Sequence, residues 1–290
     1  MIIDKYLLNM NFQIKTYKNI LGLFIALNTF GYDDENNNKG MFLERKKVRR
    51  ILKGHDFTER YSLLRKLIIK KHPWDLLHIL LSYKKIKSVN ICFVNELNIF
   101  NRESIISNAI NDLIFIQEKE NRQFLKQFRK EAIKLFTFIK KIPLNITKII
   151  FILNPMDAYW RGYSFVIDKI GYVIAGPGVE KNQYETIRHE LLHMVVPMFK
   201  ISKEIISINI SEKLTQLGYG KKSVLRDEYI VIALNMLYEG QVLKQDIIKK
   251  IKEKEKIFPD IGKLVKFFRG ELKKATPENG YRVFPLNPTC

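Results

Sequence analysis

The chain has 290 residues, 46% hydrophobic and 28% charged, which excludes a disordered polypeptide and is enough to bury a real core. Its net charge of +20 brings nucleic acid, anionic surfaces and acidic substrates into view. Only Cys92 and Cys290 are cysteines, too few for a disulfide framework or a cysteine-built metal site, and no apolar run approaches the roughly 20 residues of a membrane span.

The first half reads as helical, with helices expected at 12–30, 41–53, 57–71, 74–84 and 103–141. The run KTYKNILGLFIALNTFG has two lysines before the apolar stretch 19–29, the outline of a signal peptide. It sits well inside the chain and no small-x-small cleavage site follows, so an amphipathic or buried first helix and a cytoplasmic protein are expected, with secretion left open. DDENNNKG is a polar loop. VNICFV, Val89–Val94, suits either a strand or a helix–helix connection. The 103–141 segment repeats apolar residues on one side, from Ile105 and Ile106 through Phe128, Ala132 and Leu135 to Ile139.

The character changes at Pro143. ITKIIFIL reads as a buried strand, and YSFVI with GYVIAG as a β-hairpin about Asp168-Lys169-Ile170. Helix resumes in NQYETIRHELLHMVVPMF, with Asn182 and Glu185 in capping-box spacing and Pro197 near the end. Further helices are expected at 203–218, 223–241, 243–255 and 259–274, before an irregular tail. The lysines in KEAIKLFTFIKKI and DIIKKIKEKEKI alternate with apolar residues at helical spacing. They read as solvated helix faces, which disfavours a dedicated nucleic-acid interface.

The chemistry concentrates in His189-Glu190-Leu191-Leu192-His193. A helix puts residues i and i+4 on one face, so both imidazoles can serve one metal. Glu190 is turned by about 100° from His189, where it reaches a metal-held water as general base rather than the metal. Zinc is the expected ion for such a set. A third ligand is required. Glu228, in VLRDEYIVIALNMLY, stands beside a nearly unbroken apolar helix, where an acid is costly without a partner or a metal. The competing reading makes it a buried ion-pair acid with Arg188 or Arg226. Asp227 suits a ligand-orienting or helix-start role, and Glu239 a solvent-exposed one. His55, His72 and His78 are scattered, with surface or packing roles as the default.

On these residues the chain resembles the zincin metallopeptidases of the gluzincin type, which carry HExxH on one helix and a glutamate ligand on a later one. It also resembles an uncharacterised bacterial family of gluzincin-like peptidases, in which a helical half like YKNILGLFIALNTFGYDD comes before HExxH and then EYxxxAL. The resemblance would cover most of the chain, but its specific motifs occupy about 171–240. The metzincin type is disfavoured, because no third histidine follows in an HxxGxxH extension.

The resemblance implies an α+β, mostly helical zincin-like fold with a small mixed sheet before the active-site helix. It implies one domain, 1–290, in which residues 1–145 are helical, 146–200 hold the sheet and the HExxH helix, and 201–290 are again helical. His189, His193 and Glu228 would hold Zn2+, and Glu190 would activate zinc-held water against a peptide carbonyl. Tyr163 or Tyr281 would stabilise the oxyanion, and Tyr172–Ala175 would be the substrate-binding edge. The expected partner is a peptide or protein substrate, with acidic residues suited to the charge. The alternatives are an inactive pseudoenzyme on the same fold, and a basic nucleic-acid or anionic-surface binder in which HExxH is incidental.

Overall fold

A computed structural model describes residues 7, 9–31, 42–82, 89–141, 146–158, 160–199, 210, 212–216 and 221–274. The protein is α+β, mostly helical with one four-stranded mixed sheet among the described residues. None of the described helices is long and apolar enough to cross a membrane. The chain divides into two compact units. One comprises Met10–Ala132 and Asn145–Met194; the other comprises Met1–Asn9, Ile133–Leu144 and Val195–Cys290. The units cut across the three segments expected within a single 1–290 domain.

The first unit begins with β1 (Asn11–Ile14), followed by α1 (Lys18–Thr29), α2 (Leu43–Leu52), α3 (Ser62–Ile69), α4 (Pro73–Leu81) and α5 (Val89–Asn101). The expected helix at 12–30 is therefore corrected at its start, because residues 11–14 are a strand. In α1 every residue from Ile20 to Leu27 is buried, so the helix is enclosed all round rather than one-sided. Each Leu, Ile or Phe so enclosed contributes about 1.5–3 kcal/mol through removal from water. VNICFV resolves as helix: α5 buries Phe93, Val94, Leu97 and Phe100, a helical spacing. Pro73 starts α4, and His72 Nδ1 accepts the Trp74 backbone N–H at 3.2 Å.

A long helix, α6 (Ser104–Ile139), leads to the rest of the sheet: β2 (Lys148–Leu153), β3 (Gly162–Ile167) and β4 (Ile170–Ala175). The order is β1-β2-β4-β3; β1, β2 and β4 are parallel, and β3 is antiparallel to β4. Asp168 and Lys169 both have positive φ, at 51° and 63°, as a two-residue hairpin turn matching strand twist requires. β4 is paired on both sides, which corrects the expectation that Tyr172–Ala175 forms the edge. The outer strand on that side is β3, with no second neighbour among the described residues.

The alternation of side chains gives this sheet two unlike faces. Ile150, Ile152, Tyr163, Phe165, Tyr172 and Ile174 join the core built on α1 to α5. The opposite face carries Ile149, Phe151, Gly171, Val173 and Gly162. Phe128 of α6 packs on Phe151 there, with ring centroids 5.1 Å apart. Helix α7 (Glu185–His193) lies over the same face, where Met194 Sδ comes 2.9 Å from the position a Cβ on Gly171 would take.

The second unit holds the end of α6, then α8 (Glu212–Gln216), α9 (Lys222–Gln241), α10 (Ile247–Glu255) and α11 (Ile261–Lys274). The expected helix at 203–218 is described only at 212–216; the remainder falls outside the described residues. Every residue of α9 from Glu228 to Glu239 is buried. Tyr238 packs edge-on against Phe138 and Tyr229 against Phe258. Glu239 is corrected from a solvent-facing residue to a buried one: it is 2% exposed, its charge met by Lys250 Nζ at 2.8 Å. The last turn of α9 is covered by α10, which Asp246 starts by accepting the Ile248 N–H at 2.9 Å.

Candidate metal centre

Helix α7 begins under strain. Gln183 and Tyr184 precede it with φ of 51° and 61°, a left-handed conformation that costs a non-glycine residue. Surrounding contacts hold the pair in place. The Tyr184 N–H donates to Val179 O at 2.7 Å, its ring meets Phe128 edge-on, and Arg188 Nη1 donates to Gln183 O at 2.6 Å. The expected capping box is corrected: Tyr184, not Asn182, occupies the cap position, and it makes no side-chain cap. Asn182 instead donates through Nδ2 to Thr186 Oγ1 at 2.7 Å. The α-helix ends at His193, and Pro197 belongs to a separate short 3-10 turn, Val196–Met198.

Arg188 is 1% exposed and pairs with Glu131 of α6 at 3.2 Å, itself 6% exposed by its side chain. This buried pair, with the Gln183 carbonyl on the same guanidinium, fixes the rotation of α7 about its own axis. An isolated buried charge would be strongly unfavourable, so each partner needs the other. No sequence motif marks Arg188 or Glu131, because their pairing spans distant sequence.

His189 and His193 stand on one face of α7, half-buried, as their i, i+4 spacing dictates. Their rings are 4.9 Å apart at 72°, and the two Nε2 atoms are 3.2 Å apart. Two nitrogens about 2.05 Å from a tetrahedral zinc ion would stand about 3.3 Å apart, so the pair fits that ion without rearrangement. Glu190 lies on the adjoining face and is 7% exposed. Among the described residues its carboxylate makes no hydrogen bond and no ion pair. A buried acid left without a protein partner is expensive, and such acids concentrate where chemistry uses them.

Glu228 opens the buried stretch of α9, 7% exposed. Arg226 binds Asp227 at 2.9 Å, and Arg188 binds Glu131. Asp227 is accordingly a partly exposed acid beside an arginine. Tyr163 is the second residue of β3 and is 3% exposed. Its ring tilts against Phe24 of α1, on the sheet face away from α7, so it is not brought to the histidine pair. Tyr281 lies outside the described residues.

No protein-family model, no curated protein and no solved structure matches the chain.

Proposed function

We propose that the protein is a zinc-dependent peptidase of the gluzincin type, with His189, His193 and Glu228 as the metal's protein ligands. The observation that carries this reading is the Nε2 pair 3.2 Å apart beside a buried Glu190 that has no hydrogen bond or ion pair among the described residues. Two neutral imidazoles and one carboxylate are a donor set typical of catalytic zinc, leaving a position free for water or substrate. When bound, the ion supplies a Lewis acid that polarises a carbonyl and acidifies water. Glu190 takes the proton of the attacking water and returns it to the departing amine. Burial of Glu190 keeps competing water away from this exchange.

The substrate in this reading is an extended peptide added as a further strand at the open edge of β3. Exposed Trp160 and Val166 flank and line that edge with apolar surface. The +20 charge favours acidic peptides through long-range attraction.

The test is metal content by elemental analysis together with cleavage of a pooled library of fluorescence-quenched peptides. One zinc per chain, with cleavage lost in Glu190→Gln but zinc retained, supports the reading. A folded protein that takes up no zinc sinks it. Zinc bound with no cleavage by the wild type identifies the pseudoenzyme instead.

A further inference from the structure

Gly162 opens β3 with a backbone that does not enter the left-handed region, so its conformation does not call for glycine. Space does. A Cβ at this position would fall 2.6 Å from Glu190 Oε1, 2.7 Å from Glu190 Cγ and 2.8 Å from Thr186 Cγ2. Carbon atoms in contact normally stand about 3.5–4.0 Å apart. Turning the carboxylate alone relieves only the first of these clashes. The other two involve atoms close to the α7 backbone, and Thr186 is pinned by Asn182 at 2.7 Å.

The strand pairing gives this contact a direction. Gly176 N–H donates to Arg161 O at 3.3 Å, and the register runs from Gly162↔Ala175 to Ile167↔Ile170 around the tight turn. Hydrogen-bonded and non-hydrogen-bonded pairs alternate along an antiparallel ladder. Arg161, Tyr163, Phe165 and Ile167 therefore bond to β4, while Gly162, Ser164 and Val166 turn their N–H and C=O toward the open edge. Glu190 thus rests on a residue whose backbone groups, among the described residues, are left for a further strand.

We infer that Gly162 is a positioning residue: its missing side chain seats Glu190 against the open edge of the sheet, at the level where a bound peptide passes. The inference rests on the peptidase reading for its catalytic consequence, though the steric coupling stands without it. A peptide paired at Gly162 brings its backbone to the Glu190 carboxylate, and a displacement of about 1 Å there costs about a hundredfold in rate.

The experiment has two arms. In the first, Gly162→Ala is compared with wild type for zinc content and cleavage of the same quenched-peptide library. The expected result is unchanged zinc with kcat lowered about 100-fold. Cleavage at the wild-type rate overturns the inference while leaving the peptidase reading intact. A wild type without zinc or cleavage removes that reading alone, and the second arm then decides. There, melting temperatures are measured for Gly162→Ala, Glu190→Ala and the double variant, all metal-free. The drop caused by Gly162→Ala is expected to shrink when residue 190 is alanine, because two of the three clashes are gone. Additive losses overturn the inference. If Gly162→Ala does not fold, recovery of folding in the double variant supports the inference, and failure of both variants to fold overturns it.

Discussion

His189 and His193 point their Nε2 atoms to within 3.2 Å of each other from successive turns of α7. The spacing is held between two half-buried rings. As a chelating pair it is already organised. His189→Ala and His193→Ala are each expected to lower zinc affinity by at least about 100-fold, since even the loss of a group that only orients a ligand costs about 10–100-fold. Competition with a chromophoric chelator measures this, and circular dichroism of the metal-free variants is expected to match the wild type.

Arg188 and Glu131 make the opposite case, a pair whose loss is felt in the fold. Arg188→Met leaves the Glu131 carboxylate buried without its cation, and breaking such a pair costs about 3–5 kcal/mol. It also releases the Gln183 carbonyl beside two left-handed residues. The double variant Arg188→Met/Glu131→Leu is expected to recover a large share of the loss, because no buried charge is then stranded. Urea unfolding of the two variants gives the comparison.

Legibility in the sequence followed the range of the forces. Local signals carried the helix at Ile20–Leu27, through its apolar run, but not its enclosure on every side, and they carried the β3–β4 hairpin, through the alternation around Asp168-Lys169. The α7 histidines were legible because a helix fixes i and i+4 geometry by itself. What failed was non-local. Four residues at Asn11–Ile14 become a strand only through parallel pairing with Lys148–Phe151, and nothing in NFQI announces that partner. The same crossover places β4 between β2 and β3, so the open edge lies one strand away from where chain order suggests. Glu239 looks solvent-facing at the end of an apolar run; Lys250, a helix away, makes its burial tolerable. Tyr163 stands at the start of a strand legible in the sequence, but which sheet face it takes, and hence its packing on Phe24, depends on the register with β4.

Two tyrosines predict an alkaline limit to stability. Burial, reinforced by a hydrogen bond to Glu103, pushes Tyr61 up to about 12, and burial with Asp260 nearby does the same for Tyr229. Both rings are almost fully enclosed. The unfolded chain gives up these protons from about pH 10, whereas the folded chain keeps them until about pH 12. The unfolded state therefore binds fewer protons in that window, and stability falls as pH rises through it. Each tyrosine lowers it by about 1 kcal/mol per pH unit. Urea midpoints at pH 9, 10 and 11 are expected to decline, and Tyr61→Phe is expected to flatten the decline.

Glu228 separates two accounts of a buried acid. As a structural ion-pair member, Glu228→Gln strands its partner's charge, and the metal-free protein loses about 3–5 kcal/mol. As a metal ligand, the substitution acts where the metal does. Zinc at a thousandfold excess over Kd stabilises the wild type by about 4 kcal/mol. A variant whose Kd is a hundredfold weaker gains only about 1.4 kcal/mol at the same zinc concentration. The expected outcome is a weakened response to zinc: Glu228→Gln gains far less stability from added zinc than the wild type does. Melting curves recorded with a chelator and with added zinc measure both quantities. A large loss in the metal-free protein, together with an undiminished response to zinc, would assign Glu228 to an ion pair and leave the histidines in need of another third ligand.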